Sequence, residues 1–572
     1  MKTINNLKYL LFLGIVLVMS ACDSMFNPEL DNVIGEARAS TNPQTALGFL
    51  NSAYVSIPST YSFSECATDD AVMNDPTSSY PRMVGGSWSA LFDPLSNWAS
   101  TYKAIMNVNQ FMTYLPKITI SWSSETNDSL YRQRWTGEAY GMRGFLHLQL
   151  LQYYAGKDNS GNVLGVPYLN SVLTTDPNVW SGLKRPAFTE TVAKIASDLD
   201  TAIVYLPLDY TGTTSIVIGL KNKARFTKRI AYASKARLYM HAASPLFNAG
   251  NYNTAYCDSA VKYSVLAIGT NTIATSITSQ LFYTTDSPSS SEIIWRMNLI
   301  TEATTASAMA ATVEAKNYPP SKSGKGQVNP TQEFVDAFPD KNGYPITDPA
   351  TVYNPSTPYL NRNGRLDTIV IRDGGKLNGK VIYTAKSDAI NGIENPGATR
   401  TGYYLKKLLR PDVSITNPVT GKKNMYPIFR TTEMYLIFAE AQTASKGADV
   451  AYMIGTSAKS PRNVIIGIRT RSGIPATDAY ATSLGSTDFM KLIRNERRIE
   501  LAFEGFRFSD LRRWMLPLNG TVHRARILTA GGTPQILEIS EEPRNYSQFM
   551  YFAPIPNTEI LKCPNIVQNT AQ

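Results

Sequence analysis

The sequence predicts a mostly α-helical protein, in which tetratricopeptide-like helix pairs form a scaffold that carries long irregular loops and a few short β-hairpins. Apolar residues recur three or four positions apart in many separate segments, as in helices with one buried face. The neighbouring segments 230–243 and 250–267 contain small residues and the pattern Gly250-x-Tyr252-x-x-Ala255, which is typical of tetratricopeptide repeats. Stretches rich in Gly, Pro, Ser and aromatic residues separate the helical segments and show no period.

The N-terminus has the features of an export signal. Lys2 and Lys8 precede an apolar run at 9–19, which is too short to cross a bilayer comfortably but has the length of a signal-peptide core. Small residues then lead directly to Cys22, as in bacterial lipoproteins, where this cysteine is acylated; plain secretory cleavage is the alternative. The sequence therefore predicts a signal peptide at 1–21, a lipidated N-terminal tether at 22–40 and a single folded domain at 41–572.

Composition indicates one large globular unit. The 572 residues are 43% hydrophobic and 17% charged, and no low-complexity linker divides them. The net charge of +10 is modest for this size, and most Lys and Arg residues are scattered, so nucleic-acid binding is disfavoured. Beyond Cys22, the cysteines Cys66, Cys257 and Cys563 form neither a disulfide framework nor a metal motif, and we expect buried free thiols.

Two irregular segments interrupt the predicted helices. Residues 61–97 are rich in aromatics, Gly, Pro, Asp and Asn, and such long surface segments are often functional. The largest insertion runs from about 273 to 425 and contains candidate short strands at 292–296, 368–371 and 381–384. The predicted helices lie at 45–54, 98–111, 134–154, 189–207 with its proline stop, 230–243, 250–267 and 430–441, the last a weaker repeat copy with a helix after it.

The stretch 494–514 is the densest run of charged and aromatic residues. An apolar stripe predicts a helix that begins near Ser486 and continues through Phe503, with Gly505 available to close it. Glu496, Glu500 and Glu504 lie one turn apart and resemble an acid/base or metal row. Six nearby arginines favour a different interpretation, a charge network that ties this helix to 506–514, because arginines lower carboxylate pKa values whereas a general acid needs a raised one. The six arginines are Arg494, Arg497, Arg498, Arg507, Arg512 and Arg513.

The motifs of common enzymes are missing. The sequence contains no G-x-S-x-G elbow, no phosphate-binding G-x-x-x-x-G-K-[ST] loop and no H-E-x-x-H zinc motif. His147, His241 and His523 are far apart and are interpreted as packing residues. The acidic cluster around Asp340 and Asp348 departs from the spacing of a calcium loop, so a polar turn is expected.

Aromatic surface is the chemistry that remains. The chain has 32 Tyr and 7 Trp, several of them in loops beside Asn, Asp, Ser and Arg. Flat rings stack on the C–H faces of sugars while amides and carboxylates bind hydroxyl groups, so these loops favour glycan capture. Most of the aromatics are expected in the core. These include Trp98, Trp135, Trp295 and Trp514.

Many motifs occur in a fixed order along the chain. They lie at Cys22, 98–109 (Trp98-x-x-x-Tyr102-x-x-Ile105, with Asn109), 143–145, 165–168, 198–207, 235–240, 291–294, 329–338, 430–440, 469–473, 494–514, 554–559 and 568–569. In this order they resemble the SusD/RagB family of outer-membrane nutrient-binding lipoproteins of Bacteroidetes, over nearly the whole length of the chain.

The resemblance implies a SusD-like fold with variable loops on one side. Residues 41–225 would be the N-terminal SusD-like part and 226–572 the C-terminal RagB/SusD part. It also implies a non-catalytic lipoprotein, anchored by lipid in the outer membrane and facing the cell exterior. Such a protein captures oligosaccharide or polysaccharide and delivers it to a SusC-like TonB-dependent transporter. No catalytic residue, metal ligand or cofactor is implied.

Two alternative functions stay open. RagB-like members of the family serve peptide import, so peptide capture is the first alternative, and a glycan-acting enzyme is the second. Residues that contact ligand vary within the family, so they are nominated here on physical grounds alone. They are Tyr61, Tyr80, Arg82 and Trp88 in the first irregular segment, and Tyr318 and Tyr353 in the insertion.

Overall fold

The computed structural model describes most of the chain. The described residues are 41–570, except 58–60, 123, 175, 274–291, 299–311, 417, 423–424, 526, 531–532 and 537–539. The predicted signal peptide, the acylated Cys22 and the tether lie outside the described residues and stay predictions.

Helices dominate the described chain, as the sequence predicted. The longer ones are α1 (Pro43–Val55), α2 (Trp98–Tyr114), α3 (Glu125–Tyr154), α4 (Phe188–Tyr205), α5 (Lys228–Ala243), α6 (Thr254–Ile268), α7 (Thr431–Ser445), α8 (Pro461–Arg471), α9 (Ser486–Glu500) and α10 (Arg507–Arg513). Short helices and turns lie at Ser64–Ala67, Tyr80–Arg82, Met83–Ser87, Pro177–Ser181, Leu220–Asn222, Pro245–Phe247, Val313–Asn317, Pro320–Lys322, Gln332–Asp336, Arg365–Ile369, Ala479–Ser483, Gln548–Tyr551 and Asn557–Lys562.

Side-chain caps determine where several helices begin. The Asn42 side chain accepts hydrogen bonds from the first backbone N–H groups of α1, and Thr227 and Asn253 cap α5 and α6 in the same way. Helix α3 starts nine residues before the predicted position, where the Ser124 side chain caps it. The prediction missed this first part because it is polar and lacks an apolar stripe. Helix α4 ends at Tyr205, just before the predicted proline stop.

The helices pack largely in the order in which they follow along the chain. From α1 to α7 each helix lies against the next one, and α7 also contacts α8 and α9. Close approach depends on small residues: a Cβ added to Gly141 of α3 would lie 2.5 Å from the Phe226 ring. The four tryptophans predicted for the core are all buried, and the three described cysteines are buried free thiols, as predicted.

The strands of the described chain form only antiparallel pairs. They are β1 (Ala71–Met73), β2 (Gly156–Lys157), β3 (Val163–Leu164), β4 (Ile293–Asn298), β5 (Val328–Pro330), β6 (Val370–Ile371), β7 (Gly375–Leu377), β8 (Lys380–Ile382), β9 (Tyr404–Leu405), β10 (Met425–Arg430), β11 (Tyr452–Ile454), β12 (Ser457–Lys459), β13 (Gly520–His523), β14 (Ile527–Ala530), β15 (Thr533–Ile536) and β16 (Ser540–Arg544). The pairs are β1–β5, β2–β3, β4–β10, β6–β9, β7–β8, β11–β12, β13–β16 and β14–β15.

The predicted strands of the insertion are found with shifted bounds. The segment 292–296 overlaps β4, and 381–384 overlaps β8. The segment 368–371 instead begins as a helical turn, and only Val370 and Ile371 form a strand. Strand β4 pairs with β10, so the two ends of the insertion meet beside the helices.

Helix α9 ends earlier than the sequence predicted. The helix stops at Glu500, and residues 501–505 form turns in which Phe503 and Gly505 have φ values of 60° and 84°. Lys407 Nζ donates to the carbonyl oxygens of Glu500 and Ala502, at 3.1 and 2.8 Å. If the helix continued, these carbonyl oxygens would accept hydrogen bonds from the next helical turn, but here they bind the Lys407 cation. The helix therefore ends at Glu500, and the prediction that it continues through Phe503 was wrong for its last residues.

A second hydrophobic core lies where α9 ends. It joins Phe63 of the first irregular segment, Val328 and Phe334 of the insertion, and Ile499 and Phe503. The chain therefore has a helical scaffold and an irregular loop layer, and the end of α9 is one of the places where they are joined.

Candidate functional site

The two irregular segments nominated by the sequence lie side by side. Strand β1 of the first segment pairs with β5 of the insertion, and Arg400 Nη1 donates to the Met73 carbonyl oxygen at 3.0 Å. Gln327 Nε2 also donates to the Asp75 carboxylate at 2.9 Å. We call the exposed surface of residues 74–92, 319–327 and 383–397 the loop face.

Two of the nominated ligand-binding residues lie in the core. Trp88 is 1% exposed and packs against Phe508 and Tyr546, with ring centroids 5.4 and 6.2 Å away. Tyr318 is 2% exposed and donates to the Arg410 carbonyl oxygen. Neither ring offers a face to a ligand in this structure, so both nominations are withdrawn.

Three other nominated tyrosines are half-buried. Tyr61 packs edge-on against Tyr426 at 4.8 Å, and Tyr80 donates to the Ser62 carbonyl oxygen at 2.6 Å. In a turn of the insertion, the guanidinium carbon of Arg362 lies 5.2 Å from the ring centroid of Tyr353. Of the three, only Tyr80 belongs to the loop face.

Arg82 is the nominated residue that is clearly available. Its side chain is exposed, and its guanidinium carbon lies 3.9 Å above the ring centroid of the half-buried Phe92. Stacking on an aromatic ring holds a guanidinium in place while its N–H groups stay free for a ligand. The neighbouring Leu91 side chain is strongly exposed.

Tyr383 is a candidate that the sequence reasoning did not nominate. It is 44% exposed, whereas Ile382 before it and Thr384 after it are buried. This alternation follows from the two-residue period of an extended strand. The predicted strand at 381–384 could therefore have identified Tyr383, because its apolar neighbour Ile382 had to face the core.

The acidic row on α9 is a structural charge network. Glu496 Oε1 and Oε2 accept hydrogen bonds from Arg469 Nη1 and Arg365 Nη2, each at 2.8 Å. Glu500 lies 2.7 Å from Arg471 Nη2, and Glu504 forms ion pairs with Arg430 and Lys407 at 2.8 Å. Burial alone would raise the pKa of these three carboxyls, but the surrounding cations lower each below its ordinary value. Such carboxylates stay charged and do not fit the role of a general acid.

The arginines of the stretch 494–514 have other partners than the acidic row. Arg497 pairs with Asp510 at 2.8 Å and ties α9 to α10, as the network interpretation predicted. Arg498 and Arg507 pair with Asp69 and Asp70 of the first irregular segment. The network is therefore confirmed, but the partners of Glu496 come from α8 and the insertion.

The remaining candidate groups have structural roles. His147 is buried and hydrogen-bonded to backbone at both ring nitrogens, and the Asp340 carboxylate accepts four hydrogen bonds from its own turn. His523 is exposed and pairs with Glu333, so it is not a packing residue. Within the described ranges, no group of three or more His, Cys, Asp or Glu could hold a metal ion. No helix among the residues that the structure describes is long and apolar enough to cross a membrane.

Comparison with protein families gives matches to both halves of the chain. The model of the SusD family matches residues 291–571, and a SusD-like model described as "Starch-binding associating with outer membrane" matches residues 44–240. No curated protein sequence matches the chain significantly.

Solved structures give the same fold over nearly the full length. A SusD-like protein from Bacteroides fragilis is 22% identical with a TM-score of 0.75, and the match covers 96% of this chain and 100% of that one. A SusD-like carbohydrate binding protein from the same organism is 19% identical with a TM-score of 0.70, covering 92% and 99%. A laminarin-binding SusD-like protein is 19% identical with a TM-score of 0.61, covering 93% and 100%. The ordered motifs, the helical scaffold with its loop layer and the two family matches agree: the chain belongs to the SusD/RagB family.

Proposed function

We propose that this protein is a non-catalytic glycan-binding lipoprotein of the cell surface, which captures oligosaccharide or polysaccharide on its loop face. The observation that carries the proposal is the exposed Arg82 guanidinium stacked on Phe92, on the same irregular layer as the exposed Tyr383 ring. The names of two similar structures, a carbohydrate binding protein and a laminarin-binding protein, support this ligand class.

The chemistry of the loop face suits a chain of sugars. An exposed tyrosine ring stacks on the C–H face of a pyranose, and a fixed guanidinium donates to ring or hydroxyl oxygens. Exposed serine and threonine side chains at Thr77, Ser79 and Ser87 add further hydroxyl partners. The cations around the acidic row of α9 lower the pKa of its three carboxyls, so this row does not supply a general acid.

We further propose that the bound glycan passes to a SusC-like TonB-dependent transporter and that lipid at Cys22 holds the protein in the outer membrane, facing the cell exterior. The description of the family model for residues 44–240 includes association with the outer membrane, which supports this location. Two or more acyl chains, at about 0.8 kcal/mol for each buried methylene, would give a stable anchor.

Replacing Cys22 by alanine tests the anchor. We expect the variant to lose labelling by a fatty-acid probe and to leave the membrane fraction, because it lacks the acylated sulfur. The wild-type chain expressed in the same cells is the control. A Cys22→Ala protein that keeps its label would contradict lipidation at this residue.

Replacing Tyr383 or Arg82 by alanine tests the loop face. Calorimetry against a panel of soluble polysaccharides should identify a ligand of the wild-type protein, and each variant should bind it at least about fivefold more weakly, because a stacked aromatic or a charged hydrogen bond contributes on the order of 1–3 kcal/mol. Tyr205→Ala is the matched control, since Tyr205 is 45% exposed but lies at the end of α4, on the helical scaffold.

Three results would count against the proposal. Equal glycan affinity of all variants would show that the glycan-binding site does not lie on the loop face. Binding of peptides but of no glycan would establish the alternative of peptide capture. Release of shorter sugars from the identified glycan during long incubation would show an enzyme.

A further inference from the structure

A cavity of about 330 Å³ lies inside the scaffold, beyond the residues assigned to the loop face. Its walls come from α3, α5, β10 and the segment 504–512, together with residues near Ser62 and Leu95. The volume is at the small end of the range of pockets that hold small molecules, so it has room for about one six-membered ring with its substituents.

The cavity has both apolar rings and polar groups that lack partners. Phe145, Tyr426 and Phe506 supply aromatic walls. Gln149 and Gln152, one turn apart on α3, both line the cavity. Their side chains are half-buried, and neither has a hydrogen-bond partner among the described residues. Their amides are therefore free to bind the polar groups of a ligand that enters the cavity.

Arg512 gives the cavity a positive charge. The side chain is 3% exposed, and it donates from Nε to the Tyr551 carbonyl oxygen at 2.7 Å and from Nη2 to the Tyr153 carbonyl oxygen at 2.9 Å. In the described part of the chain no carboxylate lies within 4 Å of its guanidinium. Burial lowers the pKa of Arg512, and the more distant Asp93 carboxylate, whose Oδ1 accepts from the Tyr153 hydroxyl at 2.8 Å, opposes this shift.

The other charges on the wall are already compensated. Arg237 forms a two-point ion pair with Glu433 at 2.7 and 2.8 Å, and Glu504 is held by Arg430 and Lys407. A buried arginine is normally paired, and its planar guanidinium matches a carboxylate. Among the described lining residues, Arg512 is thus the one charged side chain without an ion pair within 4 Å, so a ligand with one negative charge complements the cavity.

We propose that this cavity binds a single acidic sugar, a hydroxylated six-membered ring that carries one carboxylate, as in a uronic acid. Arg512 receives the carboxylate, Gln149 and Gln152 bind hydroxyl groups, and the aromatic walls cover the apolar face of the ring. The site is separate from the proposed glycan-binding loop face and does not depend on it.

Calorimetry with sodium glucuronate and with glucose tests the proposal on the purified protein. We expect the wild type to bind glucuronate at least tenfold more tightly than glucose. Gln152→Leu and Gln149→Leu should each weaken glucuronate binding at least tenfold, because leucine removes the amide and fills part of the space. Gln133→Leu is the matched control, since Gln133 lies on the same helix but is exposed.

Each result has a defined meaning. A wild type that binds no glucuronate, or that binds glucose equally well, overturns the proposal, and so does unchanged affinity in both cavity variants. Melting temperatures establish that the variants are folded, and two independent variants keep the test valid if one of them is not. Arg82→Ala should retain glucuronate binding, so a failure of the loop-face proposal remains distinguishable from a failure here.

Discussion

Replacing Glu496 by alanine is expected to lower the free energy of unfolding by about 3–5 kcal/mol, the cost of breaking a buried ion pair by removing one partner. Glu496 has no exposed surface, and its two oxygens bind Arg469 and Arg365. Without the carboxylate, the fully buried Arg469 and the largely buried Arg365 each lose a negative partner. Urea unfolding followed by circular dichroism measures the change.

Asp488→Ala is the control for this experiment. Asp488 lies in the first turn of the same helix and pairs with Lys491 on the protein surface, where both side chains are exposed, so its removal should cost less than about 1 kcal/mol. At temperatures where it is folded, Glu496→Ala should bind the loop-face ligand as the wild type does. Unchanged stability together with lost binding would show that α9 belongs to the binding site.

Replacing Glu65 by glutamine is expected to stabilise the protein at pH 8. Burial raises the pKa of the Glu65 carboxyl to about 7 from an ordinary value of 4.5, although its Oε1 accepts a hydrogen bond from the Gly505 N–H at 2.8 Å. Its Oε2 is buried and has no partner among the described residues. Glutamine keeps the acceptor and, like the protonated acid, carries no charge.

The sign of the effect follows from proton binding. Below pH 4.5 both the folded and the unfolded wild type hold the proton, and this carboxyl does not affect stability. As the pH rises from about 4.5 to about 7, the unfolded chain releases the proton first, so wild-type stability falls by about 3 kcal/mol, at about 1.4 kcal/mol for each pH unit of pKa difference. Above pH 7 the wild type remains less stable by this full amount. The glutamine variant does not lose this stability, because it has no carboxyl to ionise.

Chemical unfolding at pH 4, 6 and 8 measures this difference. The gap between Glu65→Gln and the wild type should grow with pH, because only the wild type has a carboxyl to ionise. Glu190→Gln, at an exposed position on α4, should show no such trend. A gap that is constant over this range would mean that Glu65 ionises at an ordinary pKa.

Periodicity predicted most of the scaffold because most of its helices present an apolar face to their neighbours. The first part of α3 has no such face, and its nine residues were missed. Helix α4, with its proline stop, needed no long-range information. The end of α9 could not be predicted from local sequence, because it is bound by Lys407, which lies 93 positions before Glu500 in the sequence. Likewise, Glu496 is paired with Arg365 and Arg469 instead of the arginines beside it, because spacing in the sequence does not show which distant segments fold onto a helix.

The candidate site was predicted less completely. An aromatic residue in a segment without a period has no pattern that reveals its direction, so Trp88 and Tyr318 could not be separated from exposed rings by sequence. Arg82 is exposed, as charged side chains in such loops usually are, and its role in binding stays a prediction. Tyr383 was within reach of the sequence, since strand alternation determines its side.

The charge network at the end of α9 also bears on how the protein responds to ionic strength. Most of its members are buried, and dissolved ions screen buried pairs much less than exposed ones. Salt should therefore weaken surface pairs such as Lys446 with Asp258 while the joint between scaffold and loop layer holds. A binding surface mounted on such a joint keeps its shape in dilute and in saline surroundings alike.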